Sequence, residues 1–218
     1  MKRIFLIPPL LLGSLLAACG GSSDSGSSVA PTLQPSVQVQ ALPAGSYNVA
    51  LGSDSKPAVG QYLAAADGSR LLVVNDDNEL AQTLYKQAAG GAWQSVPAAS
   101  APVSITLLRS DATSPATVDL ARLAGRYVAQ VQGGGTAVFT LAADGSLSAA
   151  GGSCQLSGKT GVAALPGSVA VNLVLSGCGS LPAAVNGVLL VDAAYAPARF
   201  RLLADDGKQV VDLWAYAE

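Results

Sequence analysis

Histidine is absent from all 218 residues of this chain, and cysteine, methionine and tryptophan occur only three, one and two times. The missing imidazole removes any Ser-His-Asp or Cys-His arrangement, together with the side chain most often used as a general base. It also removes the main nitrogen ligand of protein zinc sites. Charge is scarce too, at 12% of residues, with a formal net charge of −2. No basic stripe is available to follow a phosphate backbone, which argues against a nucleic-acid partner. Nucleophile elbows, Walker loops and dinucleotide fingerprints are likewise missing from the region beyond the N-terminal segment.

The apolar run at residues 4–16 is interrupted by Pro8, Pro9 and Gly13. It falls short of the about 20 apolar residues that a transmembrane helix needs. Lys2 and Arg3 precede it, as in the positive n-region of a signal peptide. The run ends at Leu16-Ala17-Ala18-Cys19, an aliphatic residue and two small ones before a cysteine. This stretch resembles the lipobox of bacterial lipoproteins, in which the cysteine becomes the lipidated N-terminus. The resemblance implies a signal peptide over residues 1–18, acylation of Cys19 (palmitate among the chains) and a partner in the membrane itself. More than one acyl chain makes such attachment stable, where a single chain gives only marginal binding. For a Gram-negative source the same resemblance implies the outer membrane, since Gly20 stands where an aspartate would favour retention at the inner membrane.

With Cys19 committed to lipid, Cys154 and Cys178 are left as a pair in an oxidising compartment, and a disulfide between them is predicted. It would stabilise the fold by roughly 3 kcal/mol in the chain-entropy model. A redox pair or metal ligation are the alternatives, and neither a CxxC spacing nor a histidine accompanies them.

Residues 19–41 read as a lipid-anchored tether. The Gly/Ser-rich stretch after Cys19 is flexible by composition, and Pro31 and Pro35 make the remainder semi-extended. As a coil it spans on the order of 25 Å, enough to hold a domain clear of lipid headgroups. Beyond it the pattern is β. Residues 136–141 alternate before Asp144-Gly145, a hairpin signal. Residues 168–176 place Val169, Val171, Leu173 and Leu175 on one face, and residues 209–216 alternate again around Val211 and Leu213. Residues 70–75, 81–87, 92–96 and 103–109 read as an earlier meander, with Gly90-Gly91 turning one hairpin. Residues 77–88 also admit a short helix capped by Asp77 or Asn78, and residues 118–124 a single helical turn.

An internal repeat runs through this vocabulary. Leu42-Pro43-Ala44-Gly45-Ser46-Tyr47 is echoed by Leu123-Ala124-Gly125-Arg126-Tyr127, and Ala65-Ala66-Asp67-Gly68-Ser69 by Ala142-Ala143-Asp144-Gly145-Ser146. Two landmarks in the same order suggest two related β units. A small set of strand and turn words in an Ala/Gly-rich chain could also recur by chance.

Candidate chemistry is thin. Ser53-Asp54-Ser55-Lys56, Ser46-Tyr47-Asn48 and Lys159-Thr160-Gly161 fit the three short motifs of penicillin-recognising serine enzymes. Their order is wrong, however, and Pro57 follows where a helix should carry the lysine. Asn75-Asp76-Asp77-Asn78-Glu79 could supply several oxygens to calcium, but lacks the glycine and spaced glutamate of an EF-hand. Trp93, Trp214, Tyr47, Tyr127, Tyr195 and Tyr216 could line a cleft or serve as core and cross-strand pairs. Arg199 and Arg201 could meet an anion, although a solvated barrel exterior is the simpler expectation for both.

The expected fold is therefore all-β and mostly antiparallel. A smaller β unit over residues 42–112 precedes a disulfide-stapled barrel or curled sheet over residues 118–218. Closure is favoured because few helices are available to cover the apolar strand faces. The expected function is that of a non-catalytic envelope lipoprotein, a tethered binding or structural module with no cofactor, no metal and no catalytic residues. The alternatives are a lipocalin-like carrier of a small apolar ligand and, behind it, a periplasmic enzyme or enzyme inhibitor. The partner is then a protein or a small apolar molecule, besides the membrane.

Overall fold

Strict alternation of inward and outward side chains builds the C-terminal half. In the strand Thr136–Leu141, Ala137, Phe139 and Leu141 are fully buried while Thr136, Val138 and Thr140 are half-exposed. The computed structural model describes residues 35–162 and 165–218. The lipobox, Cys19 and the first part of the expected tether lie outside the described residues.

Sixteen strands are present among them. The first eight are β1 (Val37–Val39), β2 (Gly45–Ser53), β3 (Lys56–Ala64), β4 (Arg70–Asn75), β5 (Ala81–Gln87), β6 (Trp93–Val96), β7 (Val103–Ile105) and β8 (Leu107–Thr113). After a one-turn helix, α1 (Leu120–Leu123), come β9 (Gly125–Gln130), β10 (Thr136–Leu141), β11 (Ser146–Gly152) and β12 (Gln155–Thr160). The chain ends with β13 (Ser168–Ser176), β14 (Ala184–Leu190), a 3-10 turn (Ala193–Tyr195), β15 (Phe200–Asp205) and β16 (Val210–Ala217).

Strands β9 to β16 form a closed barrel in which each strand pairs with the next and β16 returns to β9. All of these pairs are antiparallel. The barrel interior is packed with side chains. Tyr127, Phe139 and Phe200 fill it as a cluster of rings 4.7–6.3 Å apart, surrounded by Leu141, Leu156, Leu173, Leu202 and Leu213. Cys154 and Cys178 are joined by a disulfide, with their Cα atoms 4.4 Å apart, and staple the ends of β12 and β13.

The alternation breaks down in β15, where every residue is buried, and in β16 from Val210 to Leu213. A second layer explains this. Strands β6-β5-β4-β3-β2-β8 form one antiparallel sheet, and its Leu63, Leu71, Val73 and Leu84 pack on Leu190, Leu203 and Val210 of the barrel's outer wall. The other face of the sheet carries Tyr62, Leu72 and Val74, covered by Val37 and Val39 of β1 and Ile105 of β7. β1 and β7 pair in parallel.

One expectation is corrected here. β1 lies inside residues 19–41, because Val37 and Val39 alternate toward the apolar underside of the sheet and are drawn into it. Residues 81–87 form strand β5, as the meander reading expected, and the alternative helix over residues 77–88 does not form, since Ala81 and Leu84 face the barrel and β5 registers against β4. The helical turn expected over residues 118–124 is present as α1, with Asp119 Oδ1 accepting from the backbone N–H groups of Ala121 and Arg122.

The repeat is visible as geometry. In each unit a tyrosine near the start of the first strand turns its hydroxyl back to the carbonyl four residues upstream, Tyr47 to Pro43 and Tyr127 to Leu123. In each, the turn between the second and third strands is closed by an aspartate. Asp67 Oδ1 accepts from Ser69 N at 2.8 Å, and Asp144 Oδ1 from Ser146 N at 2.9 Å. The sheet thus begins as the barrel does, then stays open.

Candidate functional site

The seam between sheet and barrel concentrates the polar chemistry of the molecule. Arg201 of β15 and Trp214 of β16 are directly opposed across the two strands and point outward from the barrel. The guanidinium lies 4.6 Å from the centre of the indole ring, a cation–π contact. Arg201 is only 2% exposed, and its Nε and Nη2 donate to the two carboxylate oxygens of Asp212 at 2.7 and 2.6 Å. A forked pair of this kind is strong and directional. Breaking such a buried pair from one side costs about 3–5 kcal/mol, because the remaining charge is left without compensation.

Both partners also reach into the sheet. Arg201 Nη2 donates to Asn75 Oδ1 at 3.1 Å and to the Glu79 carbonyl at 3.2 Å, while Asp212 Oδ2 accepts from Ala81 N at 2.7 Å. Glu79 adopts φ 64°, a left-handed turn conformation that presents this carbonyl to Arg201. A second clamp lies further along the seam. Lys86 of β5 donates to both oxygens of the buried Asp205 of β15 at 2.7 and 2.6 Å.

Tyr195, on the 3-10 turn before β15, closes the arrangement. Its ring meets Trp214 edge-on, with centroids 5.1 Å apart. Its hydroxyl donates to Gln61 Oε1 of β3 at 2.7 Å. Burial pushes the Tyr195 phenol up to about 12, with Asp192 and Asp212 adding to the effect and Arg201 opposing it. The hydroxyl therefore keeps its proton, and its role as donor, across the neutral range. Asp192 caps the same turn by accepting from Ala194 N at 2.9 Å.

Two adjoining clefts open on this seam, of about 400 and 420 Å³, and they share Glu79, Tyr195 and Trp214 as walls. One runs past Tyr216 toward Gln130 and Gln132 of the barrel rim. The other runs across β2 and β3, past Asn48 and the exposed ion pair of Arg109 with Asp111. Both volumes fall within the about 300–1,000 Å³ usual for small-molecule sites.

The structure sorts the residues singled out by sequence. Tyr195, Trp214 and Tyr216 come together at the first cleft, whereas Tyr127 fills the barrel and Tyr47 and Trp93 pack against Tyr62 on the far face of the sheet. Arg199 is exposed, but the solvated role expected for Arg201 is corrected, because the sheet covers its face of the barrel. Ser53 and Lys56 face each other across the turn of the β2–β3 hairpin. Lys159 instead pairs with Asp144, so the three penicillin-enzyme motifs do not converge. Asp76 spends one carboxylate oxygen on the backbone N–H groups of Asn78 and Leu80, as an acidic turn does. Among the described residues no group of three or more acidic, cysteine or histidine side chains is placed to hold a metal ion.

Sequence reasoning missed Gln61, Asp205 and Asp212. A signal existed for Asp212, an acid on a strand face otherwise made of Val210, Trp214 and Tyr216, whereas Asp205 shares its face with Arg201 and Leu203. No family model, no curated protein and no solved structure matches this chain.

Proposed function

We propose that this chain is a non-catalytic lipoprotein of the cell envelope, anchored through Cys19 and binding its partner on the outer face of the barrel. The observation that carries this reading is the contrast between a barrel interior filled by Tyr127, Phe139 and Phe200 and an open polar-aromatic cleft at the seam. A packed interior leaves the outside as the place where a molecule can be received. The lipobox resemblance at Leu16-Ala17-Ala18-Cys19 supports the anchor, and the absence of histidine supports the non-catalytic part.

Metabolic labelling with palmitate tests the anchor. The full chain should carry label and sediment with membranes, and Cys19→Ala should do neither. Label or membrane attachment unchanged by that substitution would overturn the reading.

A closed, eight-stranded, next-neighbour barrel is also the architecture a lipocalin-like carrier would have. Here a ligand would have to displace the aromatic cluster. Mass spectrometry of organic extracts of the purified chain decides the matter, and a stoichiometric apolar molecule would restore the carrier reading.

A further inference from the structure

Resting on the surface-binding reading above, we infer that the cleft walled by Tyr195, Trp214 and Tyr216 is a site for an uncharged saccharide. Trp214 and Tyr216 alternate along β16 and so project from one face about 7 Å apart, given a strand rise of about 3.3 Å per residue. Tyr195 stands at 71° to Trp214 and extends this wall around a corner. Tyr216 is 37% exposed, so its ring is available to a guest. The non-reacting face of a pyranose carries C–H groups made slightly positive by their oxygens, and such groups pack well on the electron-rich face of an aromatic ring.

The rim supplies the matching polar chemistry. Asn78, Gln130 and Gln132 line the same cleft. Each amide offers a donor and an acceptor, the combination that recognises a hydroxyl without demanding a charge.

Charge decides the ligand class. Asp212 at the floor is matched by the forked guanidinium of Arg201, which lines the adjoining cleft, and the pair carries no surplus for an ion. An anionic ligand would meet the Glu79 carboxylate on the cleft wall. A cationic one would compete with the guanidinium already seated against Trp214. A neutral polyhydroxylated molecule meets neither obstacle, and Glu79 can accept from its hydroxyls.

The test uses the full chain in detergent on an array of neutral oligosaccharides: N-acetylglucosamine oligomers, glucans and mannans. The best binder is then titrated while tryptophan fluorescence is followed. Saturable binding is expected, weakened by about tenfold or more in Tyr216→Ala and in Gln130→Ala, the weight of about 1.4 kcal/mol or more. Both side chains are exposed, so far-ultraviolet circular dichroism should be unchanged in the variants. An empty array, binding confined to charged glycans, or binding that both variants leave intact would each overturn the proposal. A protein cross-linked to this face in intact cells, alongside an empty array, would overturn the saccharide while sparing the surface-binding reading. With an empty array and no cross-linked partner, both fall.

Discussion

Tyr195 shows what a single side chain does at the seam. Its phenol is held protonated by burial and donates to Gln61 on the neighbouring layer. A phenol whose folded pKa lies above the ordinary value of 10.0 makes the native state hold its proton where the unfolded chain has lost it. The corresponding stability is fully present below about pH 10 and is lost as pH rises toward about 12. Equilibrium urea unfolding across that range should show an alkaline decline that Tyr195→Phe reduces. An identical decline in both proteins would remove Tyr195 as its source. Burial raises Tyr62, Tyr85 and Tyr127 in the same direction, so some decline should persist in the variant. The aromatic residues were visible in the sequence as a set, but their sorting among barrel, sheet and seam was not. Arg201 shows why: alternation assigns a residue to a face, and gives no sign of whether a second layer covers that face.

At the scale of elements, strand alternation and turn residues carried most of the fold, and the repeat made it sharper. The two aspartate turns are alike in hydrogen bonding, and in both the following glycine has positive φ, 92° at Gly68 and 81° at Gly145. Their surroundings differ. A Cβ on Gly68 would meet nothing within 4 Å, whereas one on Gly145 would lie 1.9 Å from Thr160 Oγ1. Gly68→Ala should therefore cost on the order of 1 kcal/mol for the backbone alone. Gly145→Ala should cost clearly more, as read from urea midpoints. Equal costs would show that packing against Thr160 is irrelevant. What sequence could not show was β1, since three residues at the end of a Ser/Pro-rich stretch give too short a pattern to separate from a tether.

For the whole molecule, the question is whether sheet and barrel unfold together. An apolar interface, the Arg201–Asp212 hub and the Lys86–Asp205 clamp all cross the seam. The two tryptophans report on different layers, Trp93 from the sheet's far face and Trp214 from the barrel wall. Single-tryptophan variants, Trp93→Phe and Trp214→Phe, should each show the same denaturation midpoint by fluorescence as by far-ultraviolet circular dichroism. A fluorescence midpoint displaced from that of circular dichroism within either variant would mean that the layers melt separately.

The barrel is sealed by a short pairing of β16 with β9, Tyr216 opposite Val128 and Ala217 opposite Tyr127. Every other strand ladder in the barrel joins neighbours along the chain, so hairpins can form in the order of synthesis. The seal cannot. It waits for the strand that follows the other seven of the barrel, and the same strand brings Asp212 and Trp214 to the seam. A chain interrupted before Val210 would therefore carry nearly all of its hairpins yet lack closure, the Arg201 counter-charge and the cleft wall together. Ring closure therefore ties two properties to one strand: without β16 the barrel stays open and the cleft loses its aromatic wall.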